Sequence, residues 1–332
     1  MITRREVTGR STAQPFFTGM RAFLIRRGIQ AIVVLFGVSV IVFILLHLLP
    51  GGPARAVLGI RANKAQVHAF NIRYGLLNPL PVQYLDWLNQ LVHLNLGFSY
   101  KQNQSVDSLL AENIPRTLIL VGVSTILALV VAIPAGIYQA VRRNKPEDYT
   151  LTGMSFLFYS MPTFFLGTIL IIVFSQTLPL LPSTGPTAAL PMIDQIPNLV
   201  LPILTLTLVT IALFSRYMRS SILENLVQDY VRTATSKGVS RRAILFRHVL
   251  PNAILPIITL IGLSLPGILS GALITEALFN YPGMGLLFWN AAITDDFPVM
   301  LGTTIVVGAA VVVGSLLADV LYAVFDPRVR YS

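Results

Sequence analysis

Six stretches of this sequence are too long and too apolar to be the core helices of a water-soluble domain. Gly28–Leu49 and Thr117–Tyr138 carry no formal charge. Leu151–Ser175, Leu199–Ser215, Ile254–Ile274 and Met300–Phe325 follow, the last with a single charge, Asp319. A bilayer core ~30 Å thick is crossed by about 20 apolar residues in a helix. Composition agrees: charged residues are 11% of the 332, where a soluble domain carries about 25%. Too few charges remain to cover a soluble surface, and the apolar content excludes disorder. The absence of Cys excludes disulfide staples and thiol-based metal or redox chemistry. The sequence therefore predicts an all-α polytopic membrane protein with six transmembrane helices. Pro134, Pro162, Pro202, Pro256 and Pro266 fall within the spans. Membrane helices tolerate Pro where neighbouring helices re-satisfy the freed carbonyl.

Charge placement sets the orientation. The first apolar run is too long for a cleaved signal peptide and no Ala-x-Ala site closes it, so it reads as an anchor. Eighteen Lys and Arg lie before the first span, in the second and fourth connections, and in the tail. The other six lie in the long loop Pro50–Arg116. The positive-inside rule puts both termini in the cytoplasm, and long loops count little in it. The net charge of +10 is thus a topology signal, and no nucleic-acid partner is called for.

The outside loop Pro50–Arg116 is too long for a plain connector. It opens on the Pro50-Gly51-Gly52-Pro53 turn. From Pro81, Val82, Leu85, Leu88, Leu91 and Val92 recur at helical spacing, and Tyr84 and Trp87 suit an interfacial position. This helix either packs along the membrane face or forms part of a docking surface for an outside partner. The fifth connection holds Glu276, then the turn-rich run Tyr281-Pro282-Gly283-Met284-Gly285, then Asp295 and Asp296. The run reads as a re-entrant segment or as a tight loop. Glu276 reads as a gate or docking residue, or as a solvated helix end. Asp319, near the end of its span, reads as a structural intramembrane charge that pairs or reaches the interface, or else as a substrate contact.

The inside segment Ser215–Pro251 is the most informative. Met218, Ile222 and Leu226 carry the fourth span onward as helix. A second helix runs about Asp229–Lys237, and Gly238 can end it in the left-handed conformation. Ser240 then caps a third helix. Arg241 and Arg242 occupy its first turn, where the macrodipole disfavours cations. That cost points to positive-inside charge, lipid headgroups or an acidic partner.

Several chemistries are absent. No Gly-x-x-x-x-Gly-Lys-[Ser/Thr] phosphate loop occurs, nor His-Glu-x-x-His or Gly-x-Ser-x-Gly. The four His are scattered, so no metal site is expected. The spans lack the ionisable residues of an ion-coupled carrier. The chain can form a passage but carries no energy source, and no catalytic residues are expected.

The stretch Arg232-Thr233-Ala234, with Gly238 after it and His248-Val249-Leu250-Pro251 ending it, resembles the coupling loop of ABC-importer permeases. That loop reads Glu-Ala-Ala, three residues, Gly, nine residues, Ile-x-Leu-Pro. Arg for Glu, Thr for Ala and His for Ile depart from the general pattern. The form Tyr230-Val231-Arg232-Thr233-Ala234 is similar to the dipeptide/oligopeptide/nickel branch, as are Glu276–Gly285 and the tail Asp326-Pro327-Arg328-Val329-Arg330-Tyr331. The long first outside loop suits the first of two permeases.

The resemblance implies a type I ABC-importer permease fold in a bacterial plasma membrane. Its parts are a first span over 21–49, an outside loop over 50–116 and a core over 117–332 that includes the coupling loop 216–251; residues 1–20 lie outside the resemblance and are expected to be a disordered, basic-polar cytoplasmic extension. It implies a second permease, cytoplasmic ATPases that hold the ATP and Mg, and an extracytoplasmic binding protein. Arg232, Thr233, Ala234 and Lys237 are then expected to face an ATPase groove, with Gly238, Leu250 and Pro251 completing the loop. Glu276, Tyr281, Pro282, Gly283 and Met284 become gate or docking residues. Dipeptides or short oligopeptides are the expected cargo. A nickel or small-solute permease is the alternative within the family, and a self-sufficient channel, secondary transporter or intramembrane enzyme is the alternative outside it.

Overall fold

A computed structural model describes residues 16–48, 54, 55, 58, 62–99, 101–187, 191–270 and 272–325. The Pro50–Pro53 turn, the first fifteen residues and the Asp326–Tyr331 tail lie outside them.

The first helix, α1, runs Phe16–His47 and so begins inside the segment assigned to the N-terminal extension. Two short helices follow in the long loop, α2 (Lys64–Arg73) and α3 (Leu80–Val92). A two-stranded hairpin comes next, β1 (Phe98–Ser99) against β2 (Gln104–Ser105). The second span, α4, runs Val106–Val141 from a Ser105 cap. Its buried stripe includes Ser124, Ala128, Ala132 and Gly136, small residues four apart. Such a stripe lets another backbone approach closely. The fourth span, α7 (Ile196–Leu226), takes that place. Thr207 Oγ1 donates to the Ser124 carbonyl at 3.3 Å. A Cβ on Gly136 would lie 2.7 Å from the Ser215 carbonyl oxygen. Residue numbers rise together along the contact, so α4 and α7 run parallel.

The third span is not the straight helix that Leu151–Ser175 predicts. It is two helices, α5 (Pro146–Ser160) and α6 (Thr163–Ile171, extended by a π-turn Ile172–Thr177), bent by 104°. Pro162 supplies the reason. It lacks an N–H, and its ring pushes Met161 into extended backbone (φ −76°, ψ 130°).

The inside segment follows as α8 (Asp229–Ser236), α9 (Arg241–Ile244), a π-turn Leu245–Val249 and α10 (Leu250–Ala253). The remaining helices are α11 (Leu255–Ser270), α12 (Leu273–Leu278), α13 (Met284–Thr294) and α14 (Phe297–Phe325). Gly262 meets Ala318 and Gly314 meets Pro266, so α11 and α14 run antiparallel through another small-residue contact. The α1 helix crosses α14 antiparallel too: Val42 packs by Phe297, and Leu35 and Val38 lie beside Gly308. Both ends of the described chain therefore sit at the end of the bundle that carries α8–α10.

Among the described residues, four single helices (α1, α4, α7 and α14), the run Arg241–Gly267 that ends in α11, and the bent pair α5–α6 are long and apolar enough to cross a membrane. In the apolar 18-residue stretch of each of the five unbent spans, 11–28% of the residues are buried within this chain. Most of their apolar surface is left for lipid or another subunit.

Candidate functional site

The α8–α10 knob is built from local rules. Asp229 occupies the first turn of α8, where a negative charge suits the dipole. At the other end, Gly238 N–H bonds to the Thr235 carbonyl (3.0 Å) and Val239 N–H to the Ala234 carbonyl (3.2 Å). This is the paired pattern of a Schellman stop, and Gly238 supplies the left-handed backbone (φ +76°) it needs. Ser240 then caps α9 by accepting from Ala243 N–H at 3.4 Å. Tyr230 donates to the Asn225 side-chain oxygen at 2.8 Å and ties α8 back to the end of α7.

The knob has two faces. Arg232, Thr233, Lys237, Gly238, Arg241, Arg242 and Pro251 are exposed. Ala234, 8% exposed, packs inward with Ile244, Val249, Ala253, Phe214, Met218, Ile222 and Ile257. Val231, Val239 and Leu250 line the same core. The expectation that Ala234 faces a partner groove is thus corrected. At three residues after Val231 it shares that residue's face, and the face is turned into the cluster, against α9 and the π-turn. Leu250 is likewise an anchor. The π-turn absorbs the break that Pro251 forces on the helix, and Ser221 Oγ donates to the Ala253 carbonyl at 2.8 Å.

One contact beneath the knob escapes sequence reasoning. Arg219 on α7 grips Asp148 on α5 through both carboxylate oxygens, Nε at 2.7 Å and Nη2 at 2.8 Å, and Asn144 N–H adds a third bond at 3.0 Å. Such a fork fixes orientation as well as distance. One turn away, the Arg216 guanidinium sits 4.9 Å from the Phe156 ring and 4.8 Å from the Tyr159 ring. Nothing local links positions 71 residues apart, so charge counting sees these arginines only as topology.

At the opposite end lies a second cluster. Glu276 on α12 is fully buried. Its Oε1 accepts from Thr117 Oγ1 at 2.8 Å, and its Oε2 accepts from the N–H groups of Gly285 (2.7 Å) and Leu286 (3.2 Å). Thr117 Oγ1 accepts from Met284 N–H at 2.8 Å. The carboxylate thus caps α13, placing negative charge at a helix N-terminus. Burial pushes the Glu276 carboxyl above its ordinary pKa, and these hydrogen bonds pull it back. Tyr281 is also fully buried and donates to the Arg116 carbonyl at 2.7 Å. Burial raises its phenol well above the usual value.

Gly283 and Gly285 have no room for a side chain: a Cβ would lie 2.4 Å from Glu276 Oε2 at the first and 2.4 Å from Leu273 Cα at the second. The run Glu276–Gly285 is therefore a locked helix–turn–helix. Glu276 is neither a solvated helix end nor a surface contact. Tyr281, Gly283 and Met284 are buried and support this corner from within, whereas Pro282 is half-buried and reaches the surface. Asp319 belongs to α14, and its side chain lies outside the described residues. No cluster of metal-ligating side chains occurs among the described residues.

Residues 132–331 match the family described as binding-protein-dependent transport system inner membrane component, and residues 20–121 match its membrane-component N-terminal family. The chain belongs to this family. It is 39% identical over 316 residues to the oligopeptide transport system permease protein AppB of Bacillus subtilis, covering 94% of this chain and all of that protein. It is 35% identical over 314 residues to the oligopeptide transport system permease protein OppB of Salmonella typhimurium, with the same coverage. The fold is similar to the inward-facing MetNI methionine ABC transporter, at a TM-score of 0.50 and 18% identity, covering 68% of this chain and 97% of that one. The chain is thus a multi-pass membrane protein with the permease fold of ABC importers. Family membership implies ATPase and binding-protein partners in general.

Proposed function

We propose that this chain is one of two permeases of an ATP-driven bacterial importer of dipeptides or short oligopeptides. The observation that carries the proposal is the two-faced α8–α10 knob. Its outer face offers Arg232, Thr233, Lys237 and the Gly238 turn, while Ala234 and Leu250 root it between α7 and α11. A force on the exposed face reaches the spans through that shared core. The Asp148–Arg219 fork carries it on to the bent third span. The knob lies on the cytoplasmic side with both termini, and an ATPase subunit seats on it. ATP and Mg belong to that subunit, and this chain is a non-catalytic partner of it. A sister permease covers part of the apolar surface, and an extracytoplasmic binding protein delivers the cargo. The peptide cargo follows from the relatives' names.

The test is purification of the chain with its companions in mild detergent, followed by reconstitution. ATP-dependent uptake of a labelled dipeptide or short oligopeptide is expected, and Gly238→Val should abolish it while leaving membrane insertion intact. Full uptake by that variant would remove the coupling role. Uptake without ATP by the chain alone would return the channel or secondary-carrier reading.

A further inference from the structure

Helix α3, in the long loop after the first span, is amphipathic in an unusual three-way sense. At 100° per residue, Tyr84, Trp87 and Leu91 form one stripe, Leu85, Leu88 and Val92 the next, and Gln83, Asp86, Asn89 and Gln90 most of the rest. The first stripe is partnered. Tyr84 Oη lies 2.8 Å from Ser39 Oγ on α1. The Tyr84 ring meets Phe36 and Phe43 edge-on, and Trp87 stacks on Phe43 with centroids 5.9 Å apart. His47 Nε2 lies 3.2 Å from Gln83 Oε1. The second stripe is open at its two ends, with Leu85 61% exposed and Val92 73%, and half-buried at Leu88.

The position of α3 along α1 decides what covers that stripe. Val42 packs against Phe297, in the first turn of α14, as do Met300 and Leu301. Val42 therefore marks the level at which the α14 span begins. Ser39 and Phe36 lie about 4.5 and 9 Å below that level, at 1.5 Å per residue. Tyr84 touches both. Trp87 meets Phe43 and Gln83 meets His47, about 1.5 and 7.5 Å on the other side of that level. The contacts of α3 thus straddle the level at which the α14 span begins, the depth of a helix seated at the headgroup–acyl boundary. The helix that α3 rests on, α1, is itself widely exposed and apolar, at Val33, Val34, Ile41 and Ile44 among others.

We infer that α3 is an interfacial helix whose Leu85–Leu88–Val92 stripe is covered by lipid in the leaflet opposite the α8–α10 knob. The contact is apolar. The helix carries no Lys or Arg and one acid, Asp86, so it needs no anionic headgroup. The orientation proposed above makes this the outer leaflet, but the lipid contact stands without it. The α1–α3 clamp then fixes where the long loop leaves the bilayer.

The chain has no Cys, so single nitroxide labels can be placed at will. In the full chain, reconstituted with its companions in phosphatidylcholine nanodiscs, labels at Leu85→Cys and Val92→Cys should collide preferentially with oxygen. Labels at Asp86→Cys and Gln90→Cys should collide preferentially with water-soluble nickel chelate. Adding phosphatidylglycerol should not change the pattern. A second measurement leaves α3 untouched. With Trp289→Phe, Trp87 is this chain's sole tryptophan, and the fluorescence of the complex that a further Trp87→Phe removes should be quenched more by dibrominated phosphatidylcholine than by aqueous iodide. Equal aqueous access at all four labels, or stronger iodide quenching, would overturn the inference. So would shielding of Leu85 and Val92 that arises only when a binding protein is added, which would make the stripe a protein-docking surface. None of these outcomes touches the coupling role, which is read by transport.

Discussion

The two helix–turn–helix corners of this molecule use glycine for opposite reasons. At the knob, Gly238 has a left-handed backbone (φ +76°) and no atom within 4 Å of where a Cβ would stand. At the far corner, Gly283 has an ordinary extended φ of −122°, but a Cβ there would overlap the Glu276 carboxylate. One glycine is demanded by conformation and the other by crowding. The first corner leaves its polar face exposed. The second is closed around a buried carboxyl group. The knob proposed to transmit force presents polar groups on a rooted helix, and the far corner spends its polar groups on itself.

That contrast predicts a ranking of substitutions. The largest effect belongs to Gly285→Ala, because the new Cβ meets backbone that cannot step aside. A loss of about 3 kcal/mol is expected, at the upper end of ordinary overpacking. It should appear as a fall in the melting temperature of the detergent-solubilised protein, or as failure to recover it. Glu276→Ala comes next. It strands the Thr117 hydroxyl and two helix N–H groups, at about 1–3 kcal/mol for leaving buried donors unmet. The same melting assay should show Glu276→Gln losing less, since one carbonyl oxygen remains. Arg219→Ala leaves the buried Asp148 without its fork, and loss of uptake should exceed loss of insertion if the pair links the knob to α5.

Gly238→Ala is milder, at about 1–2 kcal/mol for an ordinary residue in left-handed backbone. Its lesion should be transport-specific, with ATP hydrolysis in the purified complex no longer stimulated by loaded binding protein. Smallest in stability are Arg232→Ala and Lys237→Ala. The Arg232–Asp229 pair is wide open to solvent at 3.6 Å, and such exposed pairs contribute little. Unchanged melting with reduced uptake would place them on the partner face. If instead Gly238→Ala melts as low as Gly285→Ala, the distinction between the corners fails.

The sequence exposes what is decided within a few residues. The apolar runs, the Schellman stop at Gly238 and the Ser240 cap are local, because each depends on the residue's own backbone or its nearest hydrogen bond. The Pro162 break illustrates the limit. Pro134, Pro202 and Pro266 stay inside continuous helices. Among these span-interior prolines, Pro162 is the one whose preceding residue leaves helical backbone, and composition does not distinguish that site from the others. Glu276 shows a deeper limit. Its chemistry was visible, but its burial depends on Thr117, 159 positions away. The same holds for Asp148 with Arg219, and for the inward turn of Ala234, which follows from how α8 docks on α9 and the π-turn.

The central claim is that the exposed face of α8 is where an ATPase subunit seats, with Ala234 as its root. Single cysteines at Thr233 and Ala234 in the assembled complex test it most directly, under thiol crosslinking in the presence and absence of ATP. Thr233→Cys should crosslink to a nucleotide-binding subunit with a nucleotide-dependent yield, and Ala234→Cys should remain unreactive. A crosslink through Ala234, or none through Thr233 in a complex that still transports, would contradict the account.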